Sequence, residues 1–151
     1  MKGSKNSASL FFIAAILLII QAGISLAVFD DWVGGMVGGT FAFVMFVTMA
    51  MAYKGELAAV MHTTVTETPD YATGGVYRTT TSRDTGDRIQ QTPCCGICGG
   101  IAVIVVAAMF GADLGEGIIM LAPGFLAGIL AIIASIVFIV EYKGPWTGQA
   151  Y

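Results

Sequence analysis

Charge is what this chain has least of. Lys, Arg, Asp and Glu together make up 11% of its 151 residues, where a soluble domain carries about 25% to keep its surface wet. Basic residues number seven against ten acids, for a net charge of −3. That balance excludes a nucleic-acid binder, which needs a basic stripe to displace counterions. Histidine occurs once, as His62, and cysteine three times. Three thiols are too few for a four-ligand zinc site unless His62 completes it.

The apolar side of the composition is correspondingly heavy. Hydrophobic residues reach 56% and glycine contributes 20 residues, with a mean hydropathy of +0.82. Four uncharged stretches are each long enough to cross a bilayer core: 8–28, 32–53, 94–112 and 117–140. Such a crossing takes roughly 20 apolar residues as a helix, because lipid offers no partner to a bare N–H or C=O. The expected fold is therefore all-α and membrane-integral. Four transmembrane helices form a bundle with short outer turns, and residues 1–151 make one transmembrane domain. The first run exceeds the roughly 7–15 residues of a secretory h-region, so it reads as a span and not as a signal peptide.

No Asp, Glu, Lys, Arg or His lies inside the four runs. Ion-coupled carriers and proton pumps place such groups at membrane depth, and intramembrane hydrolysis needs a His or a carboxylate pair there. The expectation is a protein that is not an enzyme and carries no cofactor or metal. Only Gln21, Thr40 and Thr48 are strongly polar within the first two runs, and Ser135 within the fourth.

Orientation follows from the basic residues. Lys2, Lys5, Lys54, Arg78, Arg83, Arg88 and Lys143 all fall on the side shared by both termini and the 54–93 segment. The two short connections carry only acids: Asp30 and Asp31 in one, Asp113 and Glu116 in the other. The positive-inside rule makes the basic side cytoplasmic, in a cell membrane. Trp32 near the outer boundary, with Tyr53, Tyr142 and Trp146 near the inner one, fits an aromatic belt. The halves echo each other, with Tyr53-Lys54-Gly55 closing the second run and Tyr142-Lys143-Gly144 the fourth. Two spans per half put both copies in the same orientation, unlike the inverted repeats of many transporters.

The 54–93 segment is a Thr-rich cytoplasmic loop. Glu56 to Ala59 favour helix, so Gly55–Met61 is expected to prolong the second helix. Beyond it, His62–Thr68 and Val76–Ser82 are β-prone runs separated by Pro69-Asp70 and Gly74-Gly75, the pattern of a small hairpin. The alternative is disorder, since the segment has too few large apolar residues to form a core.

Glycine spacing is the clearest positive signal. Gly34/Gly38 and Gly35/Gly39 are G-x-x-x-G pairs on the second span, and Gly96/Gly100 and Gly124/Gly128 repeat the step on the third and fourth. A four-residue step puts both glycines on one helix face, where another backbone can approach closely. These eight positions are the expected helix-packing residues, within the chain or between chains. Cys94, Cys95 and Cys98 at the mouth of the third span form a candidate thiol site, with packing, acylation or a Cys₃His metal site as its readings. The composite expectation is a non-catalytic multi-pass protein. It would act as a self-associating scaffold or a small subunit of a membrane assembly, with the lipid bilayer and other membrane subunits or further copies as partners. The alternatives are an oligomeric pore or uncoupled channel, and a metal or redox role at the thiols.

Overall fold

The computed structural model describes residues 3–114 and 122–149. In chain order the elements are α1 (Lys5–Val28), α2 (Trp32–Lys54), β1 (Ala58–Pro69), β2 (Val76–Ile89), α3 (Thr92–Leu114), α4 (Ala122–Glu141) and β3 (Thr147–Gln149). Among the described residues four helices are long and apolar enough to cross a membrane. Asp113 lies in the last turn of α3, while Glu116 and the start of the fourth expected span, 117–121, lie outside the described residues. The chain divides into a helical unit (Met1–Glu56, Gln91–Gly144) and a sheet unit (Leu57–Gln90, Pro145–Tyr151).

Local chemistry sets the helix ends. Ser4 caps α1, its hydroxyl accepting from Ser7 N at 3.1 Å. Asp31 caps α2 through Val33 N at 3.1 Å. Both satisfy backbone N–H groups that a helix start leaves unpaired. Pro93 and Pro123 sit in the first turns of α3 and α4, where a missing N–H breaks no intrahelical bond. Gly55 ends α2 in the left-handed region (φ 65°), its N–H bonded to Met51 O at 2.8 Å. That corrects the expected helical extension over Gly55–Met61. The helix stops at Lys54 and β1 begins at Ala58. The propensity of Glu56 to Ala59 loses to a glycine that ends helices readily.

In the helical unit α1 packs against α2 and α4, α3 packs against α4, and α2 meets α3 more sparsely. The contact faces are small: Ala8, Ala14, Ala15, Ala42, Ala127, Ala131 and Ala134 are buried around Phe11, Leu18, Met45 and Phe138. The opposite faces carry exposed Phe12, Ile13, Ile16, Phe43 and Ile136, with Val140 77% exposed. Exposed apolar area of that extent marks an interaction surface for membrane or protein.

One end of this unit is tied by polar groups. Ser4 N donates to Ala52 O at 2.9 Å. Ser4 Oγ and Asn6 Nδ2 both donate to the Glu141 carboxylate, the second at 2.6 Å. Tyr142 is buried, stacked on Phe138 with ring centroids 4.8 Å apart. Its hydroxyl donates to Gly55 O at 3.2 Å. The two Tyr-Lys-Gly motifs therefore differ in setting, since Tyr53 is exposed and Tyr142 is packed inside the helical unit.

The sheet unit is antiparallel in the order β1-β2-β3. Pairing runs from Pro69↔Val76 through Val65↔Thr80 to Ala58↔Ile89, with an irregularity between Ala59 and Met61. The 70–75 turn closes with Asp70 N on Gly75 O (2.8 Å) and Gly74 N on Asp70 O (3.0 Å). Gly74 sits at φ 69°, where a Cβ would be strained. β3 adds to β2 through Ile89↔Thr147, Arg88↔Gly148 and Asp87↔Gln149.

Candidate functional site

The helical unit contains polar side chains, and most are satisfied locally. Thr40 Oγ1 donates to Met36 O (2.9 Å), Thr48 Oγ1 to Val44 O (2.8 Å) and Ser135 Oγ to Ala131 O (2.8 Å). Ser7 Oγ reaches across to Ala134 O at 2.8 Å. Such bonds occupy the hydroxyl without leaving a group free for chemistry.

Gln21 is different. It is 7% exposed, and neither Nε2 nor Oε1 finds a hydrogen-bond partner. A primary amide offers two donors and a carbonyl acceptor. Burying one unpaired destabilises by about 1–3 kcal/mol on mutational scales. Gln21 lines a cavity of about 40 Å³ reached by all four helices: Ser25 from α1, Gly38 and Phe41 from α2, Phe110 from α3 and Gly124 from α4. Asp31, at the start of α2, also lines it. Water needs about 10–15 Å³ on this measure, so the space takes two or three waters or a group of similar size.

The glycines anticipated for packing occupy varied settings. A Cβ on Gly100 would stand 2.7 Å from Gly128 O, and one on Gly128 would stand 2.8 Å from Gly100 O, so α3 and α4 meet backbone to backbone there. At Gly96 a Cβ would run into Ser135 Oγ and lie 2.6 Å from Phe11 Cζ. A Cβ on Gly38 would lie 3.1 Å from Ala22 Cβ, and one on Gly35 would lie 2.5 Å from the Leu26 side chain. Gly34 abuts the Asp31 carboxylate. A Cβ on Gly124 would make only ordinary contacts, with Ala107 Cβ at 3.5 Å and Gln21 Cγ at 3.6 Å. Gly39 faces open space.

The thiols sit in the first turns of α3. Cys94 and Cys98 are exposed, Cys95 is half-buried, and all three are free. His62, exposed on β1 opposite Arg83, belongs to the sheet unit, whereas the cysteines belong to the helical unit. Among the described residues no cluster of three His, Cys, Asp or Glu side chains is arranged to hold a metal ion.

In the sequence Gln21 stands out only as one of the few strongly polar residues within the apolar runs. The usable signal was an amide in an otherwise uncharged span, since polar groups in lipid-embedded helices face the interior. Its lack of a partner could not be read from spacing. No protein-family model, no curated protein and no solved structure matches this chain.

Proposed function

We propose that this chain is a non-catalytic multi-pass membrane protein that acts by packing, as a self-associating scaffold or a small subunit of a larger membrane assembly. The observation that carries the reading is the division of surfaces on its four apolar helices. Alanines and the locally bonded hydroxyls of Thr48 and Ser135 face inward, while large apolar side chains such as Met36, Phe43 and Val140 face outward. The four helices then form a transmembrane bundle. The basic residues put both termini and the 54–93 segment in the cytoplasm. The close approach of α3 and α4 at Gly100 and Gly128 supports packing within the chain. Association with another chain then falls to outward positions such as Gly39 and Phe43 on α2.

In the pore alternative, conduction runs between copies, because Phe11, Met45 and Phe138 fill the centre of the helical unit with no exposed area. The test begins with alkaline carbonate extraction of membranes, followed by the mass of the protein in nanodiscs and cross-linking in intact membranes. We expect it to resist extraction and to migrate as a homo-oligomer or with a stoichiometric membrane partner. Release by carbonate would sink the membrane reading. A monodisperse monomer without cross-links would sink the scaffold reading.

A further inference from the structure

We infer that the cavity at Gln21 is a binding site for a neutral single-chain amphiphile whose head is one hydroxyl or carbonyl group. This goes beyond the packing role and depends only on the chain lying in a membrane. Four observations converge on it.

The first is the unpaired amide. Gln21 is more than nine-tenths buried within its own chain, so a second copy of the protein cannot supply its partner. A small molecule entering the cavity can. The second is polarity. Leu18, Val37, Phe41, Val103 and Phe110 are apolar walls, which suit a hydrocarbon body with a single polar anchor. The Asp31 carboxylate on the same cavity disfavours an anionic head by like-charge repulsion.

The third observation is size. About 40 Å³ admits a hydroxyl or a carbonyl and is too small for a sugar, a phosphate ester or a ring. The fourth is a place for the tail. Val37, Val106 and Phe110 line the cavity on one side and a crevice of about 240 Å³ with Met109 on the other. A further crevice of about 360 Å³ runs along Val33, Met36 and Thr40, sharing Val37 and Phe41 with the cavity. The first of these crevices lies between α2 and α3, which pack sparsely, and the second runs along α2. A tail therefore leaves between these helices into the hydrocarbon region. The head stays about 10 Å along α1 from Val28, at 1.5 Å of rise per residue.

The amide also ranks the heads. A hydroxyl accepts from Nε2 and donates to Oε1. A ketone accepts only, and leaves Oε1 without a partner. The experiment uses the full chain in nanodiscs and four probes of equal chain length: 1-decanol, 2-decanone, decane and decanoate. Thermal unfolding is followed by intrinsic fluorescence, for the parent and for Gln21→Leu.

We expect decanol to raise the parent's unfolding midpoint by several degrees at concentrations about 100-fold above its Kd, decanone to raise it less, and decane and decanoate to leave it where bilayer partitioning alone puts it. In Gln21→Leu the difference between heads should vanish. Equal shifts from all four probes, or a head preference that survives in Gln21→Leu, would overturn the proposal and leave water as the occupant. A diazirine-tagged decanol gives a check that needs no variant. Labelling concentrated on peptides containing Phe41 and Phe110 supports the site, and labelling spread over the outward faces of all four helices overturns it. Carbonate extraction reports on the membrane reading separately, so failure of one is not mistaken for failure of the other.

Discussion

One added methyl distinguishes the glycines. At Gly100 and Gly128 each Cβ would press on the other helix's backbone, which cannot rotate away as a side chain can. Gly100→Ala and Gly128→Ala should each destabilise by about 1–3 kcal/mol, the range for overpacking a close-fitted core. Gly39→Ala, facing open space, should change stability by less than about 0.5 kcal/mol. Unfolding midpoints in nanodiscs check both, and similar values for Gly100→Ala and Gly39→Ala would contradict the backbone contact. Ser4 belongs to the same scale. Its hydroxyl accepts from Ser7 N and donates to Glu141 while 3% exposed. Ser4→Ala should therefore destabilise by about 1 kcal/mol through the lost cap alone. Ser4→Asp, which keeps a capping acceptor but faces the Glu141 carboxylate, should fail to restore the parent's midpoint. The glycine periodicity was legible in the sequence, but not which glycines meet backbone, side chain or open space. That difference depends on how two helices cross.

At the scale of elements, the hairpin turn is expected to respond to pH through Asp70. Thr73 Oγ1 donates to Asp70 Oδ2, and Ala72 N donates to Asp70 Oδ1 at 3.0 Å. The Thr73 hydroxyl, with the Ala72 amide second, holds the Asp70 carboxyl below its ordinary value of 3.8. A carboxyl lowered in the folded state stabilises it fully above its unfolded value, and the contribution disappears as pH falls through the lowered folded value. Hydrogen exchange at Ala72 and Gly74 should therefore be pH-independent in protection well above the ordinary value of 3.8 and lose protection as pH falls through the lowered folded value. Asp70→Ala should abolish that pH dependence. Its persistence in the variant would assign the effect elsewhere. The hairpin was legible as two β-prone runs around Pro69-Asp70 and Gly74-Gly75. Two features escaped: the helix stop at Gly55, where local propensity pointed the other way, and β3. Three residues, Thr147–Gln149, carry too little pattern to announce a strand. It exists because β2 offers an unpaired edge, with Gln90 N bonding Trp146 O at 2.8 Å beside it.

For the whole molecule, the proposed orientation is open to a direct test. A single cysteine at Thr80 on β2, in a background lacking Cys94, Cys95 and Cys98, should resist an impermeant maleimide in sealed cells and react after permeabilisation. A cysteine replacing Asp30 should react in both. Labelling of Thr80→Cys in sealed cells would reverse the topology. The same thiol-free background should fold with an unchanged unfolding midpoint, within about 1 kcal/mol, if the three cysteines contribute only small-residue packing. A loss of bound metal along with stability would favour the metal reading instead. By itself the sequence determined that there are four long apolar runs, where they lie, and that a β-prone segment separates the second from the third. Uncharged length and β-branched alternation are properties of a linear string, and the backbone's need for internal hydrogen bonds turns them into structure. Only the tertiary structure decided which polar groups are satisfied. Thr48 and Ser135 look no different from Gln21 as interruptions of an apolar run. The two hydroxyls can reach the carbonyl one turn back along their own helix, while the Gln21 amide, surrounded by four helices, finds no such acceptor or donor.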